Sequence, residues 1–184
     1  MQEVEPSSSD WSGGASSDSL GGLRPFAGIG LMPGAGIALA YQSGRTSDAE
    51  GAFLFALRGG VFIDQLALEL EFSPVTFLPY AARGADPVLQ LNGAVAYYID
   101  LGFVEGLYFP LRGGLGFAAV NFPTQSDAAM VVRLDLLGLA YMLPLGSMGS
   151  ILLEANLPSF RQAHDFDNGA VFNWLFGLNG AWLF

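Results

Sequence analysis

The residues best suited to proton chemistry lie together near the C-terminus. His164, the single histidine of the chain, is followed by Asp165 and Asp167. A histidine beside carboxylates can act as a general base near neutral pH, so one hypothesis is a hydrolase with His164 as its base. The segment from Asp165 to Gly169 also begins like a calcium loop, but the later ligands and the terminal glutamate are missing. We therefore expect a solvated loop here, with no catalytic residue and no metal site.

The residue types that are absent exclude several chemistries. All seven basic residues are arginine, there is no cysteine, and the net charge is −10. Without lysine the chain can form neither a P-loop nor a Schiff base, and without cysteine it can form neither a disulfide nor a thiolate site. The acidic balance argues against a nucleic-acid partner, which requires basic patches. We expect a protein that is not an enzyme and has no cofactor.

The overall composition indicates a membrane protein. Hydrophobic residues make up 52% of the chain and charged residues only 13%, and the mean hydropathy is +0.42. These charges are too few to cover a soluble surface of this size. The charge-free stretch from Pro25 to Gly44 would make a poor transmembrane helix, because Pro33 and several glycines interrupt it. A closed β-barrel, which needs only about 9–11 residues for each crossing, fits better.

The chain divides into a short tail and a series of strands. Residues 1–22 are rich in Ser, Gly and Asp and have no periodicity, so we expect a disordered tail, and residues 23–184 form the second unit. No secretory signal opens the sequence, which suggests a mature form if the protein is exported. Eight strand-like runs separated by turn residues follow, at Pro25–Gln42, Gly51–Ile63, Gln65–Phe77, Pro87–Asp100, Gly106–Asn121, Ala128–Leu143, Gly149–Gln162 and Gly169–Phe184. The fold class we predict is all-β, an antiparallel up-and-down eight-stranded transmembrane barrel.

Within each of these runs the charged residues share one parity, that is, they lie at only odd or only even positions, and the large apolar residues lie at positions of the other parity. Side chains alternate between the two faces of a strand, so one face is charged and the other apolar. A base on the lipid face would cost about 2–4 kcal/mol near the membrane centre, so we assign the charges to the lumen. This parity places Met142 on the lipid face. The predicted lumen network contains three bases and four acids: Arg58, Glu69, Glu71, Arg112, Arg133, Asp135 and Glu154.

The end of the chain resembles the terminal strand of bacterial outer-membrane barrels. It alternates apolar residues and ends on an aromatic one, with Phe172, Trp174, Phe176, Trp182 and Phe184 on one parity. With its eight runs, the chain is similar to the small outer-membrane barrels of the A, X and W type. This resemblance implies recognition of the last strand by the barrel-assembly machinery, location in the bacterial outer membrane, and a periplasmic N-terminal tail. It also implies lipid and lipopolysaccharide as partners, and we expect a monomer.

Three arginines fall in or beside loops that this topology would place outside the cell. Arg45, Arg83 and Arg161 carry planar guanidinium groups, which suit the phosphates of lipopolysaccharide. We give them as possible lipopolysaccharide contacts, with ordinary loop solubility as the alternative.

An eight-stranded barrel is just wide enough for side chains to fill its interior. We therefore expect a plugged lumen and a structural or surface-interaction role. The alternative is a narrow, porin-like pore or a carrier for small or hydrophobic molecules, suggested by leucines of lumen parity at positions 54, 137, 139, 152 and 175. A soluble lipocalin-like carrier with its faces reversed is a further hypothesis.

Overall fold

The protein folds as a closed antiparallel β-barrel in the computed structural model, which describes residues 22–40, 44–46, 48–77, 89–122, 125–165 and 169–184. The strands are β1 (Leu23–Ala40), β2 (Arg45–Thr46), β3 (Glu50–Ile63), β4 (Leu66–Phe77), β5 (Leu89–Asp100), β6 (Leu107–Phe122), β7 (Gln125–Asp135), β8 (Gly138–Pro144), β9 (Ser150–Asp165) and β10 (Gly169–Leu183). Among these described residues, no helix is long and apolar enough to cross a membrane.

The wall of the barrel has eight strand positions, which we call staves. β7 and β8 lie one after the other in the same stave, and the two-residue β2 pairs with the end of β1 without forming a stave of its own. Neighbouring staves are antiparallel, and β1 pairs with both β3 and β10, which closes the barrel. The eight-stranded fold expected from the alternating pattern is confirmed. The predicted tail of residues 1–22 lies outside the described residues, apart from Gly22.

Two ends of the barrel are distinguished by their connections. We call one the turn-side end, where the chain turns at Asp64, at 101–106 and at 145–149, and where both Leu23 and Leu183 lie. The other is the loop-side end, which receives the remaining connections. At Asp64 the backbone has φ 54°, and its amide donates to the carbonyl of Gly22 at 3.0 Å, so this tight turn also ties down the start of β1.

The sixth predicted run is not one continuous strand. β7 ends at Asp135 and β8 begins at Gly138. Across the two residues between them, the inward-facing side chains change from odd to even positions. Met142 is therefore 1% exposed inside the barrel, and our assignment of it to the lipid face is wrong. Leu137 and Leu139, which we expected in the lumen, are exposed on the outside for the same reason.

A matching irregularity lies in the neighbouring stave. Asn156 pairs with Gly177 and Ser159 pairs with Leu175, so β9 carries one extra residue at Leu157-Pro158. The amide of Leu157 donates to the carbonyl of Leu137 at 2.8 Å, which joins the two irregular segments. Proline fits a bulge because it has no amide hydrogen to give to the sheet. Both staves therefore change inward parity at the same height.

Large apolar side chains cover the outside of the barrel. They include Leu31, Leu57, Leu70, Leu91, Val95, Leu115, Phe117, Leu134, Leu153, Phe176 and Leu178, all more than a third exposed. Among the described side chains of outward parity on the strands, none is charged; Asp100, which is exposed at the end of β5, has the inward parity of its strand. The inside of the barrel holds the core instead.

Candidate functional site: a charged lumen

The lumen has three layers along the barrel axis. An apolar layer lies at the turn-side end, a charged layer lies in the middle, and a mixed layer with Met32, Leu54 and Leu175 lies toward the loop side. The charged layer contains every buried charged side chain of the described residues: Arg58, Glu69, Glu71, Arg112, Arg133, Asp135, Glu154 and Arg161. All seven residues of the predicted lumen network are placed here, together with Arg161.

Arg112 occupies the centre of the charged layer. Its Nη1 donates to Asp135 Oδ2 at 3.1 Å, and its Nη2 donates to Glu69 Oε1 at 2.9 Å and to Glu154 Oε1 at 2.7 Å. Arg58 lies beside it and also donates to both glutamates, with Nη2 at 2.9 Å from Glu69 Oε1. Each of these two guanidinium groups therefore bridges carboxylates from different staves and ties the wall together across the lumen.

A second group of ion pairs continues the layer toward the loop side. Arg133 donates from Nη1 to Glu71 Oε2 and from Nη2 to Asp135 Oδ2, both at 2.6 Å. Ser159 Oγ donates to the other oxygen of Asp135. Arg161 donates from Nη1 to Glu71 Oε1 at 2.7 Å. Because Asp135 accepts from both Arg112 and Arg133, the two groups form one network.

Arg161 is a correction to the sequence analysis. We gave it as a lipopolysaccharide contact, but it is 3% exposed and lies inside the barrel, bonded to Glu71. Parity counted from Glu154 would place Arg161 on the outside, and the extra residue at Leu157-Pro158 turns it inward. Its presence balances the layer, because four guanidinium groups now face four carboxylates and the formal charge is zero.

Two polar side chains that we had not assigned to the network complete it. Tyr98 donates its hydroxyl to Glu154 Oε1 at 2.6 Å and accepts from Arg112 Nη2 at 2.9 Å. Asn92 donates from Nδ2 to Glu71 Oε1 at 3.2 Å. Tyr98 has the inward parity of its strand, which was the available signal.

Each of the four asparagines that the structure describes in the lumen is paired with a glycine on a neighbouring strand. The pairs are Asn92 with Gly116, Asn156 with Gly138, Asn173 with Gly36 and Asn179 with Gly30. A Cβ on Gly116 would lie 2.1 Å from Oδ1 of Asn92, and the equivalent distance at Gly30 is 2.3 Å from Oδ1 of Asn179. The amide oxygen of the asparagine therefore occupies the space that a side chain on the glycine would need.

The turn-side layer closes the lumen with rings. Phe62 packs between Phe26 and Tyr98, with ring centroids 5.2 and 5.1 Å apart, and Tyr98 meets Tyr108 edge-on at 6.5 Å. Phe62 and Tyr98 are fully buried, as are Ala67, Ala96 and Leu183 beside them. Such tilted ring pairs are favourable beyond the area they bury. This layer occupies the interior between the charged layer and the turn-side end.

The C-terminal strand closes the barrel against β1. Trp174, Phe176, Trp182 and Phe184 point outward and are at least 38% exposed, while Phe172 is half-buried. The residues between them point into the lumen, among them Asn179 and Leu183. The strand therefore has one aromatic outer face and one inner face that joins the lumen.

Of the other sites considered from the sequence, Arg45 and His164 lie on strands at the loop-side end. Arg45 is in β2 beside Ala40, and Arg83 lies outside the described residues. His164 pairs with Ala170 in the sheet, but its side chain and the segment 166–168 are outside the described part. Within the part of the chain that is described, no cluster of three or more His, Cys, Asp or Glu could hold a metal ion.

Comparison with known proteins gives matches of structure only. Neither a protein-family model nor a curated protein sequence matches the chain. Neisserial surface protein A is similar with a TM-score of 0.54 and 15% identity, over 86% of this chain and 97% of that one. The N-terminal β-barrel domain of Pseudomonas aeruginosa OprF has a TM-score of 0.45 and 16% identity, over 86% of this chain and 97% of that one. Ail, the attachment invasion locus protein of Yersinia pestis, has a TM-score of 0.39 and 13% identity, over 86% of this chain and 99% of that one. The fold of this chain is that of the small eight-stranded outer-membrane β-barrels.

Proposed function

We propose that the chain is an integral outer-membrane β-barrel protein with a side-chain-filled lumen, and that its role is structural or in surface interaction, without catalysis. The observation that carries this proposal is the distribution of charge on the wall. The described outward side chains of the strands carry no charge, whereas eight charged side chains are buried inside. A soluble barrel would require the reverse arrangement.

The membrane assignment is tested by placing a base at two depths of the outer face. Leu115 lies in the middle of β6 and is 63% exposed, whereas Leu89 is the first residue of β5 and is 46% exposed. In a bilayer we expect Leu115→Arg to cost about 2–4 kcal/mol and Leu89→Arg about 0–1 kcal/mol. Unfolding in vesicles measures both. Equal, small effects, with solubility in plain buffer and no change of gel mobility on boiling, would favour the soluble carrier.

The filled lumen predicts that the barrel does not conduct ions. Arg112 is 2% exposed and bridges three carboxylates, and the rings of the turn-side layer lie below it. We expect no steady conductance from the wild-type protein in planar bilayers. A steady wild-type conductance that rises in Arg112→Ala would favour the pore or carrier. Leu54, Leu152 and Leu175 remain inside for such a carrier, but each is only 1% exposed.

An outer-membrane location suggests the partners, the position of the tail and the oligomeric state. We propose that the outward aromatic face of β10 is recognised by the barrel-assembly machinery, that the tail is periplasmic, and that the protein is a monomer. Arg45 and Arg83 are proposed to meet lipopolysaccharide phosphates. Binding of the Arg45→Ala and Arg83→Ala variants to lipopolysaccharide, compared with wild type, tests this contact, and unchanged binding would contradict it.

A further inference from the structure

The connection at 145–149 differs from the other two at the turn-side end. The turn after β3 contains Asp64, and the connection 101–106 contains Glu105 and directly follows Asp100. By contrast, the sequence is free of charge from Leu136 to Leu153. A short 3₁₀ turn at Gly146–Met148 forms this connection, and the side chain of Met148 is 63% exposed.

A hydrogen bond joins this turn to the outer face of the barrel. Trp182 points outward from β10, and its Nε1 donates to the carbonyl oxygen of Met148 at 3.1 Å. The turn therefore lies beside the same face that carries Leu153 and Phe184, both exposed. The apolar outer surface of the strands continues onto the turn. The guanidinium of Arg24 reaches the residue after the turn, where its Nη2 donates to the buried Ser150 Oγ at 3.1 Å.

The backbone of the turn bonds largely to itself. The amide of Leu145 donates to the carbonyl of Gly149 at 2.8 Å, and the amide of Gly149 donates to Gly146 at 3.2 Å. Gly149 has φ 94°, and a Cβ there would lie 2.1 Å from the carbonyl oxygen of Leu183, so glycine is required. Backbone outside a regular strand is tolerated against lipid only where its polar groups are satisfied within the protein.

We propose that the turn 145–149 is inserted among the lipids at the edge of the bilayer. The Met148 side chain contacts acyl chains, and the Trp182 ring lies at the boundary, where such rings are favoured. The indole hydrogen is already used by the turn, so the ring and the turn enter the lipid as one unit. This inference rests on the proposed membrane function and adds a specific lipid-binding element to it.

Spin labels report the environment of the turn directly, because the chain has no native cysteine. Met148→Cys, Val104→Cys and Leu178→Cys are labelled with a nitroxide, and each protein is refolded into phosphatidylcholine vesicles. Val104 is 45% exposed in the charged connection, and Leu178 is 65% exposed on the outer wall. Collisions with oxygen, which enters lipid, are compared with collisions with a water-soluble nickel chelate. We expect the label at 148 to lose most collisions with the chelate, as at 178, while the label at 104 keeps them.

The outcomes separate this inference from the membrane function. A label at 148 that meets the chelate as often as the label at 104, with 178 shielded, would overturn the inference alone. A label at 178 that meets the chelate freely would overturn the membrane function and the inference together. Trp182→Phe keeps an aromatic ring but removes the N–H donor, and we expect it to raise chelate collisions at 148. An unchanged value would refute the role of the indole hydrogen bond.

Discussion

Replacement of Arg161 by methionine tests whether this residue belongs to the lumen or to the surface. The two bonds from Arg161 to Glu71 measure 2.7 and 3.1 Å, and the arginine is almost fully buried. Removing one partner of a buried ion pair costs about 3–5 kcal/mol, because the other charge loses its compensation. Glu71 retains Arg133 at 2.6 Å and Asn92 at 3.2 Å. We therefore expect Arg161→Met to lower the free energy of unfolding by about 3 kcal/mol, the lower end of that range.

Urea unfolding in detergent micelles, followed by tryptophan fluorescence, measures this loss. Arg45→Met is the matched control, since Arg45 was assigned to the same class from the sequence and lies in the short strand β2 at the loop-side end. Adding Glu71→Gln to Arg161→Met restores a neutral lumen, and we expect it to recover about 1 kcal/mol relative to the sum of the two single changes. If Arg161→Met costs no more than Arg45→Met, the inward position of Arg161 is refuted.

Three further changes probe the wall and its bulge. Gly116→Ala should destabilise by about 1–3 kcal/mol in urea unfolding, because its Cβ meets backbone and amide oxygens, whereas Gly113→Ala has open space and should be neutral; equal costs would contradict this packing. Tyr98→Phe should lose about 1.5–3 kcal/mol, since its hydroxyl bonds two charged groups, and an unchanged unfolding midpoint would show that the hydroxyl is dispensable. Deleting Leu157 should turn Arg161 toward the lipid and prevent refolding, as judged by loss of the heat-dependent gel shift; normal refolding would show that the bulge does not set the inward face.

The alternation of charged and apolar residues was sufficient to predict the barrel and the face of most side chains. In β3 to β6 every inward charge follows the parity of its strand, from Arg58 to Arg112. This worked because the wall separates two environments so different that a charge has only one acceptable side. The order of residues within each of these strands was therefore enough to assign the inward or outward face of a side chain, without knowledge of the residues it bonds to.

Parity failed where the count along the chain was interrupted. The two residues between β7 and β8 and the extra residue at Leu157-Pro158 each reverse the face, and a count across them misplaces Met142 and Arg161. Pro158 was a visible signal for the second interruption. The first has no such signal, because Leu136 and Leu137 continue an apolar run. The partner of Arg161 was equally hidden, since Glu71 is 90 positions away in sequence.

The neutral lumen also has a consequence for a barrel that is only partly assembled. Counting the buried charges from β1 onward, β3 brings one positive charge, β4 two negative ones and β6 one positive, after which β7 and β9 each bring one of either sign. The running total never exceeds one elementary charge in either direction, whether strands are added from the N-terminus or from the C-terminus. No stage of assembly therefore has to carry a large net charge into the hydrocarbon, where charge is costly. The balance of the finished interior thus also holds for its intermediates.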